Sequence, residues 1–472
     1  MKRLLLLLLA LLSVPASAQQ KPKPNILFLF ADDFCYEALG YLGHDIETPN
    51  LDRLAKRGTT FTHAYNMGSF SGAVCVASRG QLISGRSVWR TNAIFKTMDK
   101  EREAGRLWPQ LLKTAGYDTY MTGKWHIQAK AELAFDQVRH VRGGMPDTVD
   151  ASYNRPLPGK PDPWSPTDKS IGGFWEGGKH WSEVGADDAI DYLDQAKARS
   201  NPFFCYIAFN APHDPRQSPQ EYLDKYPLSR IQVPADYRPE YPYKDDIGCG
   251  PTQRDEKLGP FPRTEQAVKV HRREYYAIIS HLDTQIGRIL DQLDNNGQAD
   301  NTWIFFSADH GLSLGHHGLF GKQNLYDCSV RVPFIVAGPG VKRGERIDAS
   351  IYLQDVMATT LELAGVAKPT QVEFHSLLPL LRGEQTATNY PAVYGGYLEL
   401  QRAVTYDGWK LILYPKAKVV RLFHVAADPL EMKDVASDAT QSARKKDLFA
   451  RLLTLQRQFD DKLDLTKTFA DL

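Results

Sequence analysis

Cysteine is scarce in this chain, with five in 472 residues: Cys35, Cys75, Cys205, Cys249 and Cys328. No two have the tight spacing of a zinc knuckle or a disulfide framework. An odd number leaves at least one thiol unpaired, and Cys205, inside the apolar run "FFCYIAF", reads as a small buried hydrophobe. An excess of one charge is also missing. Lys plus Arg total 57 against 56 for Asp plus Glu, a net charge of +1. Without a basic run there is no electrostatic case for nucleic acid. No apolar run is long enough to span a bilayer, which excludes stable membrane insertion through a helix. Internal repeats and low-complexity tracts are absent too.

What is present begins with a leader. "MKRLLLLLLALLSVPASAQQ" has a basic start at Lys2 and Arg3, a leucine run, and Ala16-Ser17-Ala18 before Gln19. That pattern marks residues 1–18 as a secretory signal peptide and predicts a periplasmic or secreted protein. No cysteine follows the cleavage site, so a lipid anchor is not expected there. Losing Lys2 and Arg3 takes the net charge to −1, so any anion site must be local.

Apolar strand-like runs then alternate with amphipathic helical stretches. This predicts an α/β fold: a large mixed, mainly parallel sheet flanked by helices. The strands are "NILFLF" (25–30), "DTYMTG" (118–123), "PFFCYIAF" (202–209), "TWIFFSA" (302–308) and "PFIVAG" (333–338). "PNLDRLAKRG" reads as a helix ending at Gly58. Residues 264–296 carry apolar residues at three- and four-residue steps and read as one long helix. Residues 139–180 and 212–263 are rich in Gly, Pro, Trp and Tyr and read as long functional loops. Beyond residue 385 the texture changes to alternating polar and apolar residues around "YDGWK", a hairpin signal, followed by a terminal helix. The domain reading is therefore a main domain over 19–385 and a C-terminal antiparallel-sheet subdomain over 386–472.

The chemistry lies where the strands end. "NILFLFADD" ends in Asp32-Asp33, "TWIFFSADHG" in Asp309-His310, "DTYMTGKWH" in Lys124 and His126, and "PFFCYIAFNAPH" in Asn210 and His213. In open α/β sheets the ligand crevice lies outside the carboxyl ends of the strands. Asp32, Asp33 and Asp309 offer oxygens suited to Ca²⁺ or Mg²⁺, although His310 is more at home on a transition metal. An Asp pair after a strand also serves as a helix cap. In "SGAVCVASRGQLISGR" (71–86), Cys75 heads a helical stretch with Arg79 at i+4 on the same face. A helix start and an arginine suit an anion and lower a thiol pKa. Cys75 is then either a catalytic cysteine or a cysteine awaiting modification.

These residues resemble a known family. "CVASRGQLISG" resembles the sulfatase signature Cys-x-Pro/Ala-x-Arg with its Leu-x-Thr/Ser-Gly element. "NILFLFADD", "GKWH", "APHDP", "SADHGLSLGHHG" and "GKQNLYDCSVRVP" resemble further sulfatase motifs, in family order, and the resemblance runs over roughly residues 24 to 435. The chain is similar to formylglycine-dependent sulfatases of the alkaline phosphatase superfamily. The resemblance implies an alkaline phosphatase-like fold and a bacterial carbohydrate sulfatase.

It also implies residue roles. Cys75 becomes formylglycine through a separate maturase. Asp32, Asp33, Asp309 and His310 hold calcium, with magnesium the lesser candidate. Arg79 steadies the modified residue, Lys124 and Lys322 contact sulfate oxygens, His126 bonds the modified residue, and His213 protonates the leaving oxygen. His317, on a family slot, and Gln401 and Arg402, at the start of the C-terminal sheet, are candidate substrate contacts. Two departures stand out: Ala77 replaces the signature proline, and His310 replaces a frequent asparagine. The chemistry explains why a cysteine must be modified. A sulfated serine or cysteine would need water to attack it, whereas a hydrated aldehyde can expel sulfate with its second hydroxyl. A sulfated polysaccharide or oligosaccharide is the expected substrate. The alternatives are small aryl or choline sulfates, a phosphodiester or phosphonate substrate for the same charges, and a non-catalytic glycan binder.

Overall fold

In the strand Asn25–Ala31 every residue is buried. Leu27, Leu29 and Ala31 join one core, while Ile26, Phe28 and Phe30 join another. A strand buried on both faces has to be apolar at every position, and "NILFLFA" meets that demand. The computed structural model describes residues 23–472. The leader read at residues 1–18 lies outside them. Among the described residues, no helix is long and apolar enough to cross a membrane.

Asn25–Ala31 is near the centre of an eight-stranded sheet. It pairs in parallel with Phe203–Ala208 on one side and Thr302–Ala308 on the other. Asp118–Lys124 continues the sheet in parallel beyond Phe203–Ala208. Phe334–Ala337 runs antiparallel to Thr302–Ala308. Thr59–Phe61 and Glu345–Ile347 complete that side. The sheet is mixed and mainly parallel, as the sequence predicts.

Helices cover both faces. Trp181–Lys197 and the 31-residue Glu265–Asn295 pack together on one face, with Thr264 accepting from the backbone N–H of Ala267 at the start of the longer helix. Trp108, at the start of the helix Trp108–Lys113, fills the other face. Its ring lies 4.8 Å from that of Phe204 and 5.3 Å from that of Phe28, and its Nε1 donates to Thr360 Oγ1 at 2.8 Å.

Three strands of the large sheet have no sequence signal: Thr59–Phe61, Glu345–Ile347 and Gln137–Arg142. Gln137–Arg142 pairs in parallel with Asp118–Lys124 at the sheet edge. Its sequence, "QVRHVR", carries neither an apolar run nor a turn marker, because an edge strand is half exposed. It lies partly in the stretch read as loop. The rest of the two long segments holds only short helical turns, such as Gln220–Asp224 and Asp255–Leu258.

The C-terminal strands Val393–Tyr397, Gln401–Tyr406, Trp409–Tyr414 and Val419–Phe423 form an antiparallel meander. The helix Ser442–Gln458 packs on it, burying Leu448, Phe449 and Leu452. The sheet also takes in Gly68–Ser69, which pairs in parallel with Val393–Tyr397. All five cysteines are free thiols.

Trp108 joins the two halves of its core by packing and by a hydrogen bond. Trp108→Ala should lower the unfolding free energy by about 3–5 kcal/mol in guanidinium denaturation. A change of under about 1 kcal/mol would show that the ring is not a keystone of this face.

Candidate active site

Sheet register brings the strand ends level. Ala31 is opposite Ala308, Phe30 is opposite Ala208, and Gly123 is opposite Ala208. Asp32-Asp33, Asp309-His310, Lys124 and the loop that carries His213 therefore emerge side by side. Three of the predicted site residues have left-handed backbone: Asp33 at φ 66°, His126 at φ 56° and His317 at φ 54°. Such conformations persist only where surrounding structure holds them.

Opposite charges interlock across these ends. Lys124 Nζ contacts the Asp32 carboxylate. Lys322 Nζ donates to both oxygens of Asp33, at 2.7 and 2.8 Å. Arg79 Nε donates to Asp309 Oδ2 at 3.0 Å, and its NH1 donates to the carbonyl of Lys124 at 2.9 Å. All six side chains are at most 3% exposed, so water does little to screen them.

Cys75 is the second residue of the helix Val74–Ser84, and its side chain is buried. Lys322 Nζ approaches its Sγ at 3.3 Å. Burial alone would raise the thiol pKa. Lys124 and Lys322, with hydrogen bonds from His126 and His213, outweigh burial and hold it well below the usual range. Arg79, one turn on, reaches Asp309 from the same helix. The ten residues assigned to catalysis and metal binding thus gather in one cluster.

The donor set also fits a metal. Asp32, Asp33, Cys75 and His310 present ligand atoms within 4.8 Å of one another. Asp32 Oδ1 and His310 Nε2 are buried without a hydrogen-bond partner. His310 Nδ1 donates to the carbonyl of Gly311 at 2.8 Å, which leaves Nε2 facing Asp33 Oδ1 at 3.1 Å. This is the arrangement of a metal-binding imidazole, with its other nitrogen tied to a backbone carbonyl. Asp309 Oδ1 accepts the backbone N–H groups of Asp33 and His310, at 3.1 and 3.0 Å. Asp309 therefore joins the two acidic loops directly. Carboxylate oxygens with a single imidazole suit a divalent cation.

Three candidate substrate contacts face protein instead. The His317 ring stacks on Tyr326 at 3.9 Å and turns its Nε2 to Asp236 at 3.2 Å. Arg402 is paired to Asp461 through Nε and NH2, at 2.6 and 2.8 Å, and lies over the Trp89 ring. Gln401 Nε2 donates to the carbonyls of Gln323 and Ile247. All three are buried, and the contacts they make are within the protein. Of the loop aromatics, Trp164, Trp175 and Tyr241 are buried in packing rather than presented to a sugar.

Sequence reasoning missed a second polar shell. Asp214 lies beside His213, Arg254 pairs with Asp214 and Asp255, and Gln323 bonds Asp255. Asp214 is inside the quoted "APHDP". Arg254 and Asp255 come from the long 212–263 loop, in "QRDEKL", where no pattern marks them.

A family model described as Sulfatase matches residues 24–366. A second, described as N-sulphoglucosamine sulphohydrolase, C-terminal, matches residues 315–458. Among curated proteins, the chain is 27% identical to the N-acetylglucosamine-6-O-sulfatase of Bacteroides thetaiotaomicron, over 97% of this chain and 91% of that one. A solved protein in complex with its substrate D-glucosamine-2-N,6-O-disulfate superposes with a TM-score of 0.72, at 23% identity, over 94% of this chain and 99% of that one. The phosphonate monoester hydrolase of Agrobacterium radiobacter superposes with a TM-score of 0.73, at 20% identity, over 92% and 96%. Those two structures share the fold. The family match over most of the chain decides the identity: this protein belongs to the sulfatase family and is a sulfuric ester hydrolase.

Proposed function

We propose that this sulfatase removes O-sulfate groups from a sulfated polysaccharide or oligosaccharide outside the cytoplasm, with Cys75 converted to formylglycine and calcium at the acidic cluster. One observation carries the reading: the only cysteine in the cluster is at a helix start, against Lys322 and within reach of the Asp32, Asp33 and His310 donors. The near full-length relative that acts on N-acetylglucosamine 6-sulfate groups supports a carbohydrate substrate. The leader at residues 1–18 supports export.

A hydrated aldehyde at position 75 supplies an oxygen nucleophile and a path for sulfate release, and a divalent cation supplies positive charge beside it. Asp32, Asp33, Asp309 and His310 would hold that cation. The rest falls to the chain's own side chains. Lys124 and Lys322 place two ammonium groups beside Cys75, where a sulfate group's oxygens need neutralising. Arg79 fixes the helix that carries Cys75 to the acidic loops through Asp309. His126 hydrogen-bonds the residue at position 75. His213 turns Nε2 towards the cluster, 3.7 Å from Asp33 Oδ2, and gives its proton to the leaving sugar oxygen. Burial excludes bulk water from these groups except His126, which is half-buried at the rim.

Three measurements test this. The peptide spanning Cys75, from a host with a formylglycine maturase, should carry the mass of an aldehyde rather than a thiol. Cys75→Ser should be inactive in a host that converts only cysteine. Full activity with an intact thiol would overturn the modification. A chelator should abolish sulfate release, and Ca²⁺ should restore it better than Zn²⁺. Activity that survives complete metal removal would refute the cation's role. On a panel of defined sulfated sugars, with aryl, choline, phosphate and phosphonate esters as controls, a sugar sulfate should turn over fastest. Faster turnover of a phosphonate or of choline sulfate would overturn the substrate assignment.

A further inference from the structure

The two ring nitrogens of His213 face different surroundings. Nε2 points into the charged cluster. Nδ1 lies 2.9 Å from the backbone oxygen of Asp214 and 3.2 Å from Asp214 Oδ1. Both neighbours are acceptors, so Nδ1 carries the hydrogen and the ring has one orientation open to it. The Asp214 carboxylate is itself buried and held in place. Arg254 grips it from both sides, NH1 on Oδ2 at 2.5 Å and NH2 on Oδ1 at 3.3 Å.

The contacts continue past Arg254, which also meets Asp255. Asp255 Oδ2 accepts from Gln323 Nε2 at 2.6 Å, and Gln323 Oε1 accepts the backbone N–H of Lys322 at 3.0 Å. An unbroken polar path therefore links the histidine loop to the loop that carries Lys322. The arginine in the middle comes from the long 212–263 segment, whose conformation a compact core does not require.

We propose that Asp214 is the positioning residue for His213, and that Arg254 holds it in that role. The inference rests on the reading of His213 as the proton donor to the leaving oxygen. In that step the bond between sulfur and the sugar oxygen breaks as the attacking oxygen bonds to sulfur. The electron pair stays on the sugar oxygen, and the Nε2 proton moves to it. The ring is left neutral, with its Nδ1–H still directed at Asp214. The carboxylate fixes the ring's orientation and which nitrogen does the work, the positioning task of the third member of a catalytic triad.

The test compares two leaving groups. N-acetylglucosamine 6-sulfate releases an alkoxide that needs a proton, whereas 4-nitrophenyl sulfate releases a stable anion that does not. Asp214→Asn should lower kcat on the sugar sulfate by about 10–100-fold with KM unchanged, and should change the aryl sulfate little. In a His213→Gln background the same substitution should cost nothing further, because both changes remove one function. Arg254→Lys keeps a cation beside the Asp214 and Asp255 carboxylates but loses the two-point grip on Asp214, and should show a smaller loss with the same selectivity. It therefore tests the inference even if Asp214→Asn folds poorly. Equal losses on both substrates, or additive losses in the double variant, would overturn the inference. If His213→Gln itself lost both activities equally, the fault would lie with His213 as acid and not with Asp214.

Discussion

Six buried charges at the carboxyl edge of one sheet govern this molecule. Asp32, Asp33 and Asp309 meet Lys124, Lys322 and Arg79 with almost no water between them. Buried ions are tolerable only when each has a close partner, and removing one partner of such a pair costs about 3–5 kcal/mol. The arrangement therefore demands that strand ends from distant parts of the chain finish level. The apolar strands provide this. Their continuous burial fixes the register, because a slip would break ladder bonds and strand a charge at the same time. The acidic loops are tied further by backbone contacts, with Asn66 and Ser78 both donating to the carbonyl of Asp309.

How much of this was legible in the sequence follows from what each element must bury. A central parallel strand is buried on both faces, so it shows as a plain apolar run, and Asn25–Ala31, Phe203–Ala208 and Thr302–Ala308 could be read directly. The charged residues after those runs were legible for the same reason, since polar groups so close to a core need a purpose. Gln137–Arg142 was not legible, because an edge strand is free to be polar. The pairing of Arg402 was not legible, because sequence records a charge but not its partner. Asp461, 59 residues later, absorbs it within the fold. Arg254 was invisible because a loop residue reaching back 40 positions to Asp214 follows no period.

The long Gly- and Pro-rich segments gain a more specific meaning from that last contact. They read as loops of functional weight, and one of them delivers an arginine to the neighbour of the proton donor. Their aromatic residues do a different job. Arg155 lies over Trp164 and is paired with Asp162 and Glu274, so this tryptophan packs the loop down. Such loops hold little secondary structure and are ordered also by internal stacking and ion pairing, which lets them carry polar side chains at fixed positions.

The C-terminal sheet takes part in the same construction, despite the change of sequence texture near residue 385. Gln401, on its second strand, donates to the carbonyl of Gln323, next to Lys322. Lys410, on its third, contacts Asp327 and reaches Glu431 at 2.8 Å, and Glu431 accepts the backbone N–H of Asp327. The segment between Lys322 and Asp327 is thus clamped from the meander. The clamp works in both directions, since Gly68–Ser69, six residues before Cys75, forms the outer strand of that sheet. A Cβ at Gly68 would meet the Gly396 carbonyl oxygen at 2.0 Å, and its backbone has φ +89°, so only glycine lets the two segments approach this closely. Cys75 and Lys322, whose Nζ and Sγ nearly touch, are each fastened to the same small sheet. Closing the site therefore depends on the last hundred residues as much as on the first strand.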